Sequence, residues 1–378
     1  MIDTERLAAE FARQAAISSP SFREGEMARY LTERLRRMGA EVFMDGAGER
    51  VGGESGNLIA AFPARGKERD PLMFSVHMDT VGPAEGVAPL LTDGVFTSAG
   101  ETILGADDKA GIAEIIEALE VVRENNIPHG PIEVVVTICE EVGLLGAKHL
   151  DFSRIRARRG LALDTSGVDL LIHRAPAANK MRFEITGREA HAGIAPEKGI
   201  SAIEVAAAAV ASMHLGRIDG ETTANIGTIQ GGQATNIVAK KVVLEGEARS
   251  HDPEKLTRQT EHMVSCLKEA ARKLAREFDG ETFTPEVKIE VVTDYPAMAV
   301  PLEGSIIQLV REASDRLQRP LEIRAAGGGS DANIFNGQGI ETVILGTGMT
   351  NVHSVDECVR VEDMARVAGL LVEVIRLA

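Results

Sequence analysis

The sequence predicts an α/β protein: a mainly parallel sheet with helices on both faces, interrupted by a smaller inserted α+β domain. Three observations carry that prediction. Short, almost continuously apolar runs alternate with helical periodicity over the first half of the chain. The pattern changes near residue 175 and changes back near residue 295. At 378 residues the chain also exceeds one comfortable core, which favours two domains.

Taken in order, "NLIAAFP" (57–63), "PLMFSVHMD" (71–79), "IEVVVTIC" (132–139) and "GLALD" (160–164) read as strands. Between the second and third, "DDKAGIAEIIEALEVVREN" places Ile112, Ile115, Ile116, Leu119 and Val122 at helical spacing. Strand, helix, strand with apolar strands means a parallel sheet covered on both sides. Next come "NKMRFEITG" (strand), "GISAIEVAAAAVASMHL" (helix), "ANIGTIQGG" and "KKVVLEGEARS" (strands), "PEKLTRQTEHMVSCLKEAARKLAREF" (helix) and "EVKIEVVTDY" (strand). That β-α-β-β-α-β order is the split arrangement of a ferredoxin-like domain. Helix "LEGSIIQLVREASDRL", strand "ETVILG" and helix "VEDMARVAGLLVEVIRL" then resume the first pattern. The expected domains are therefore 1–175 with 295–378, and an insertion of 176–294.

Composition narrows the function. The chain is 44% hydrophobic and 26% charged, with a formal net charge of −16 and no basic run, so nucleic acid and anionic membranes are poor partners. The first residues, "MIDTERLAAEFARQ", lack the basic and apolar blocks of a signal peptide, and no apolar stretch reaches 18 residues, so a cytoplasmic protein is expected. Cys139, Cys266 and Cys358 are too few and scattered for a disulfide framework, and Cys139 reads as a small core residue.

Chemistry concentrates where strands end. "SVHMDT" sets His77 and Asp79 two apart, on one face of an extended segment. "GADDKAG" puts Asp107 and Asp108 where a helix begins, "ICEEVG" ends a strand in Glu140 and Glu141, and "ALDTSG" ends another in Asp164. Downstream, "TGMTNVHSVDE" carries His353. Each cluster alone has a plain reading as a helix cap or solvated strand end. A parallel sheet, however, delivers all of them to one edge. Carboxylates crowded there would repel one another and be raised in pKa by burial. A divalent cation relieves that conflict, and mixed His/Asp/Glu ligation suits zinc, or manganese or cobalt. Two histidines and at least three carboxylates suit a pair of metals about 3.5 to 4 Å apart.

The set "SVHMDT", "GADDKAG", "EEVGLLGA", "LD" and "NVHSVDE", with "GREAHAGIAPEKG" in the insertion, resembles the M20 metallopeptidases, and among them the peptidase T (tripeptide aminopeptidase) branch. The likeness runs in order through essentially the whole chain. It implies a zinc-peptidase-like catalytic domain and an inserted lid and dimerisation domain. It also implies that His77 and Asp164 hold one zinc, Glu141 and His353 the other, and Asp107 bridges them beside a shared water. Asp79 would accept the second ring N–H of His77, and the Asp107-Asp108 peptide would be cis. Glu140 would be the general base. In the insertion, His191 of "REAHAG" would donate to the oxyanion, often in a neighbouring subunit's site, while Asn236 and Arg249 would hold a substrate carboxylate. Gly328 and Ser330 lie in "AAGGGSDANIF", whose backbone N–H groups would receive a peptide's carboxylate or carbonyl. The small-residue stripe of "AIEVAAAAVASM" can pack on its own sheet or on an identical helix in a homodimer. Three functions stand at this point: an aminopeptidase acting on short peptides, an amidohydrolase of N-acyl amino acids, and a non-catalytic metal-dependent binding protein. Asp at position 164 resembles the peptidase side of the family.

Overall fold

The structure, a computed structural model, describes residues 1–378. Two compact units result: Met1–Arg174 with Met298–Ala326 and Ser330–Ala378, and Ala175–Ala297 with Gly327–Gly329. The return of the three glycines to the second unit leaves no mark in the pattern of apolar residues.

The large unit is organised by a sheet whose centre is four parallel strands, in the order Ile132–Thr137, Leu72–His77, Arg159–Thr165 and Glu341–Gly346. Its margins are antiparallel. Leu58–Phe62 runs against Ile132–Thr137 on one side, and Leu170–Ala175 against Glu341–Gly346 on the other. Side-chain alternation explains the helical layers. Val134 and Val136 share apolar surroundings with Leu31, Leu35, Ile112 and Ile115, whereas Val135 clusters with Ile155, Phe335 and Ile340. Burying both faces is what requires the strands to be apolar throughout.

Register brings the functional strand ends level, with His77 opposite Thr137 and Leu163 opposite Leu345. The approaches to Asp107 and His353 are fixed by a shared core: Leu104 and Ala106 pack with Phe11, Phe96, Met349, Val359 and Met364. Cys358–Arg360 also pairs with Val95–Ser98, so the loop carrying His353 is tied at both ends.

The smaller unit is an antiparallel sheet in which Thr222–Gly231, Lys241–Ser250, Ala177–Thr186 and Glu286–Tyr295 are neighbours in that order. Helices Ala202–Ser212 and Pro253–Lys273 contribute to its core. Ala202, Val205, Ala206 and Ala209 of the small-residue stripe are buried there, beside Phe183 and Leu244. One boundary departs from the sequence reading. The second helix, expected to run through Phe278, stops at Lys273, and Arg276–Phe278 instead forms a hairpin with Glu281–Phe283. Asp279 and Gly280 turn it with φ of 51° and 83°. An Asp-Gly pair is a strong hairpin signal, and it overrides the apolar spacing before it. No helix is long and apolar enough to cross a membrane.

Candidate metal centre

The segment after Thr137 must reverse within a few residues to present two adjacent glutamates. Gly146 permits it, because a Cβ there would stand 2.1 Å from the Ile138 carbonyl oxygen. Cys139 takes φ of 50°, its N–H donating at 3.0 Å to the buried carboxylate of Glu24. Burial beside that acid pushes the Cys139 thiol up, which suits an inert core residue rather than a nucleophile. The backbone N–H groups of Glu140 and Glu141 then donate to the two oxygens of Asp79, at 2.9 and 3.2 Å, and Ser21 donates its hydroxyl to the same carboxylate at 2.7 Å. Asp79 thus shapes the glutamate turn. His77 Nδ1 lies 2.9 Å from the Asp79 carbonyl oxygen and 3.4 Å from the Asp79 carboxylate. Full burial makes that carboxylate seek good donors, and the turn supplies them.

Asp107 is at the centre. Its Oδ1 is 3.0 Å from His77 Nε2 and its Oδ2 is 3.2 Å from His353 Nε2, so one carboxylate faces two histidines. Glu141 Oε1 lies 2.9 Å from His353 Nε2, and Asp164 Oδ1 lies 3.8 Å from His77 Nε2. Donor atoms of His77, Asp107 and Glu141 all fall within 4.8 Å of one another. Two ligands on one tetrahedral zinc are separated by about 3.4 Å, given the usual bond lengths. The four distances bracket that value, so these side chains are spaced as metal ligands are. The Asp107-Asp108 peptide is cis.

Electrostatics point the same way. Burial and the neighbouring Asp107 raise Asp164 well above the carboxylate range, and burial together with Asp164 does the same to Glu140. Burial opposes the charged form of His77, but bonding to Asp107 and Asp79 outweighs it and raises that ring well above 6.5. His353 is pushed up to about 10 by its bonds to Asp107 and Glu141. Without a cation, protons must offset the acids here.

Several supporting residues escaped the sequence reading. Glu357, buried, accepts the N–H groups of Leu104, Gly105 and Asp107 at 2.9, 2.7 and 2.9 Å and so fixes the bend leading into Asp107. It stood in the quoted "NVHSVDE", where only the histidine drew attention. Asn57 accepts from Ile138 N–H and donates to the Gly146 carbonyl, bracing the glutamate turn from behind. Asp331, buried and raised to about 6, takes the Thr137 hydroxyl. Each acts through contacts more than 80 positions away, so a local motif carries no trace of it.

The other expected residues fall into two groups. In the smaller unit, His191 and Asn236 lie on adjoining segments: His191 pairs with Ile237, and the Asn236 carbonyl accepts the Ala192 N–H at 2.9 Å. Also in that unit, Arg249 Nη1 is 3.8 Å from where a Cβ on Gly328 would stand. Ser330 instead belongs to the large unit, and its hydroxyl caps helix Asp331–Gly337.

Comparison with known proteins identifies the family. The model of peptidase family M20/M25/M40 matches residues 73–377. Aminopeptidase PepT of Bacillus cereus ATCC 10987 is 42% identical, with a TM-score of 0.90 over 99% of this chain and 98% of that one. A tripeptidase of Staphylococcus aureus subsp. aureus Mu50 is 37% identical, with a TM-score of 0.93 over 100% and 98%. The protein YqjE of Bacillus subtilis (strain 168), described as uncharacterized, is 42% identical over the full length of both chains. The chain belongs to peptidase family M20/M25/M40 and is a metallopeptidase most like the peptidase T branch.

Proposed function

We propose that this protein is a dinuclear zinc aminopeptidase that removes the N-terminal residue from short peptides, tripeptides above all. The observation that carries the reading is the single carboxylate of Asp107 shared between His77 and His353. His77 with Asp164, and His353 with Glu141, would hold one cation each, and Asp107 both; manganese or cobalt suits the same donors. Bound there, the cations would polarise the scissile carbonyl and bring the pKa of a water toward ~7.

Glu140 does the proton work. Its carboxylate would take a proton from the attacking water and return it to the leaving amine. Asp79 and Asn57 hold the turn that aims it. His191 is assigned to the oxyanion, and Asn236, Arg249 and the Gly328 backbone to the peptide's carboxylate. A guanidinium fork suits that task because it binds both oxygens at once. The names of the Bacillus cereus and Staphylococcus aureus relatives support peptide cleavage over N-acyl amino acid hydrolysis.

The test is Glu140→Gln. It should keep about two metals per chain by elemental analysis and lose at least roughly 100-fold in tripeptide turnover. Undiminished turnover would remove the general base, and hydrolysis confined to N-acyl amino acids in a mixed panel would replace the substrate class.

A further inference from the structure

Arg249 does not stand alone on its strand. Glu247, two residues earlier on Lys241–Ser250, shares its face of the sheet. Arg249 Nη2 donates to Glu247 Oε2 at 3.0 Å, while Nε lies 2.9 Å from Oε1 without hydrogen-bond alignment and has no other partner. The fork is therefore filled but poorly used. The side chains are 32% and 34% exposed, so such a pair contributes about 1 kcal/mol or less and is readily exchanged.

The surroundings leave room for an exchange. Tyr295 and Arg249 both pair with Ala178, from opposite sides of the central strand. A Cβ on Gly329 would stand 2.3 Å from the Tyr295 ring, so only glycine lets the Gly327–Gly329 backbone lie so close. Beside Arg249 Nη1 that stretch presents Gly328, which carries no side chain to fill the space.

We propose that Glu247 is a specificity-determining counter-charge. Its carboxylate occupies Arg249 when no peptide is bound and competes with the peptide's terminal carboxylate for the same guanidinium. This rests on the reading that Arg249 receives that carboxylate. An arriving carboxylate is free to align with both Nε–H and Nη2–H, which Glu247, tethered two residues away, does not manage. The displaced Glu247 remains nearby and repels it, so the residue sets how strongly a free C-terminus is preferred.

The experiment compares a free-acid tripeptide with its C-terminal amide, using metal-loaded wild-type, Glu247→Gln, Glu247→Ala and Arg249→Met enzymes. The quantity read is the ratio of KM for the amide to KM for the acid. Wild type should favour the acid, Arg249→Met should bring the ratio to about one, and both Glu247 variants should raise it about 3- to 10-fold. A ratio unchanged or lowered in both Glu247 variants, with the Arg249→Met effect intact, overturns the role of Glu247 alone. A wild-type ratio near one overturns the Arg249 reading and this inference with it.

Discussion

Helix Ala106–Glu124 carries buried acids at both ends, and the two ends treat them in opposite ways. Toward its carboxyl end, Glu117 meets Arg6 at 2.6 Å, and Glu120 meets Arg34 at 2.8 Å and Arg123 at 2.6 Å. Arg34 also holds Glu10 at 3.0 Å. At its amino end Asp107 is matched only by His77 and His353, and the main charges acting on Glu140 and Asp164 are other carboxylates, with His77 opposing. One end is neutralised by arginine, permanently charged. The other is left short of positive charge where a divalent cation would supply it. Permanent guanidinium groups make a structural joint, whereas histidine can give up its proton to a metal.

The largest expected effect comes from breaking the site end. Asp164→Asn should lower tripeptide turnover by roughly 1,000-fold and reduce bound metal below two per chain. The metal-free variant should nonetheless melt no lower than the metal-free wild type, because an amide removes a repelling acid from a crowded cluster. A lower melting temperature in the metal-free state would mean that the cluster supports the fold by itself.

Arg34→Ala tests the other end. It takes the shared arginine from half-buried Glu10, which keeps Gln14 and Tyr30, and from buried Glu120, which keeps Arg123, so the cost is about 2 kcal/mol, below that of a fully broken buried pair. Denaturant unfolding should show this loss, with metal content kept near two per chain. A change under 1 kcal/mol would place that network among weak surface pairs.

The two ends also differ in how far they could be read from sequence. The acids and histidines at positions 77, 79, 107, 108, 140, 141, 164 and 353 stood out because a parallel sheet sends every strand end to one edge, and the M20 resemblance picked His77, Asp107, Glu141, Asp164 and His353 from among them. The pairs Arg6–Glu117 and Arg34–Glu120 join residues 111 and 86 positions apart, and charged residues on amphipathic helices look the same whether paired or solvated. The Asp-Gly hairpin at Asp279 was legible and outweighed by apolar spacing. Glu24, Asn57 and Glu357 hold backbone N–H groups, and a backbone contact leaves no pattern in the partner's sequence.

Between the two ends sits Glu114, fully buried, with neither carboxylate oxygen hydrogen-bonded. Burial, helped by Asp108 and Asp363, raises its carboxyl well above 4.5. Between that ordinary value and the raised one, the native state keeps a proton that the unfolded chain has released. The stabilisation is therefore full below about 4.5 and is lost as pH rises toward the folded value, by about 1.4 kcal/mol per pH unit. Glu114→Gln cannot ionise and should not show this loss. Relative to wild type, the variant should gain unfolding free energy as pH rises from about 5, until the raised value of the native carboxyl is passed. A difference that stays flat across that range would mean that Glu114 has found a proton donor or a cation, and that the middle of the helix follows the rule of its carboxyl end.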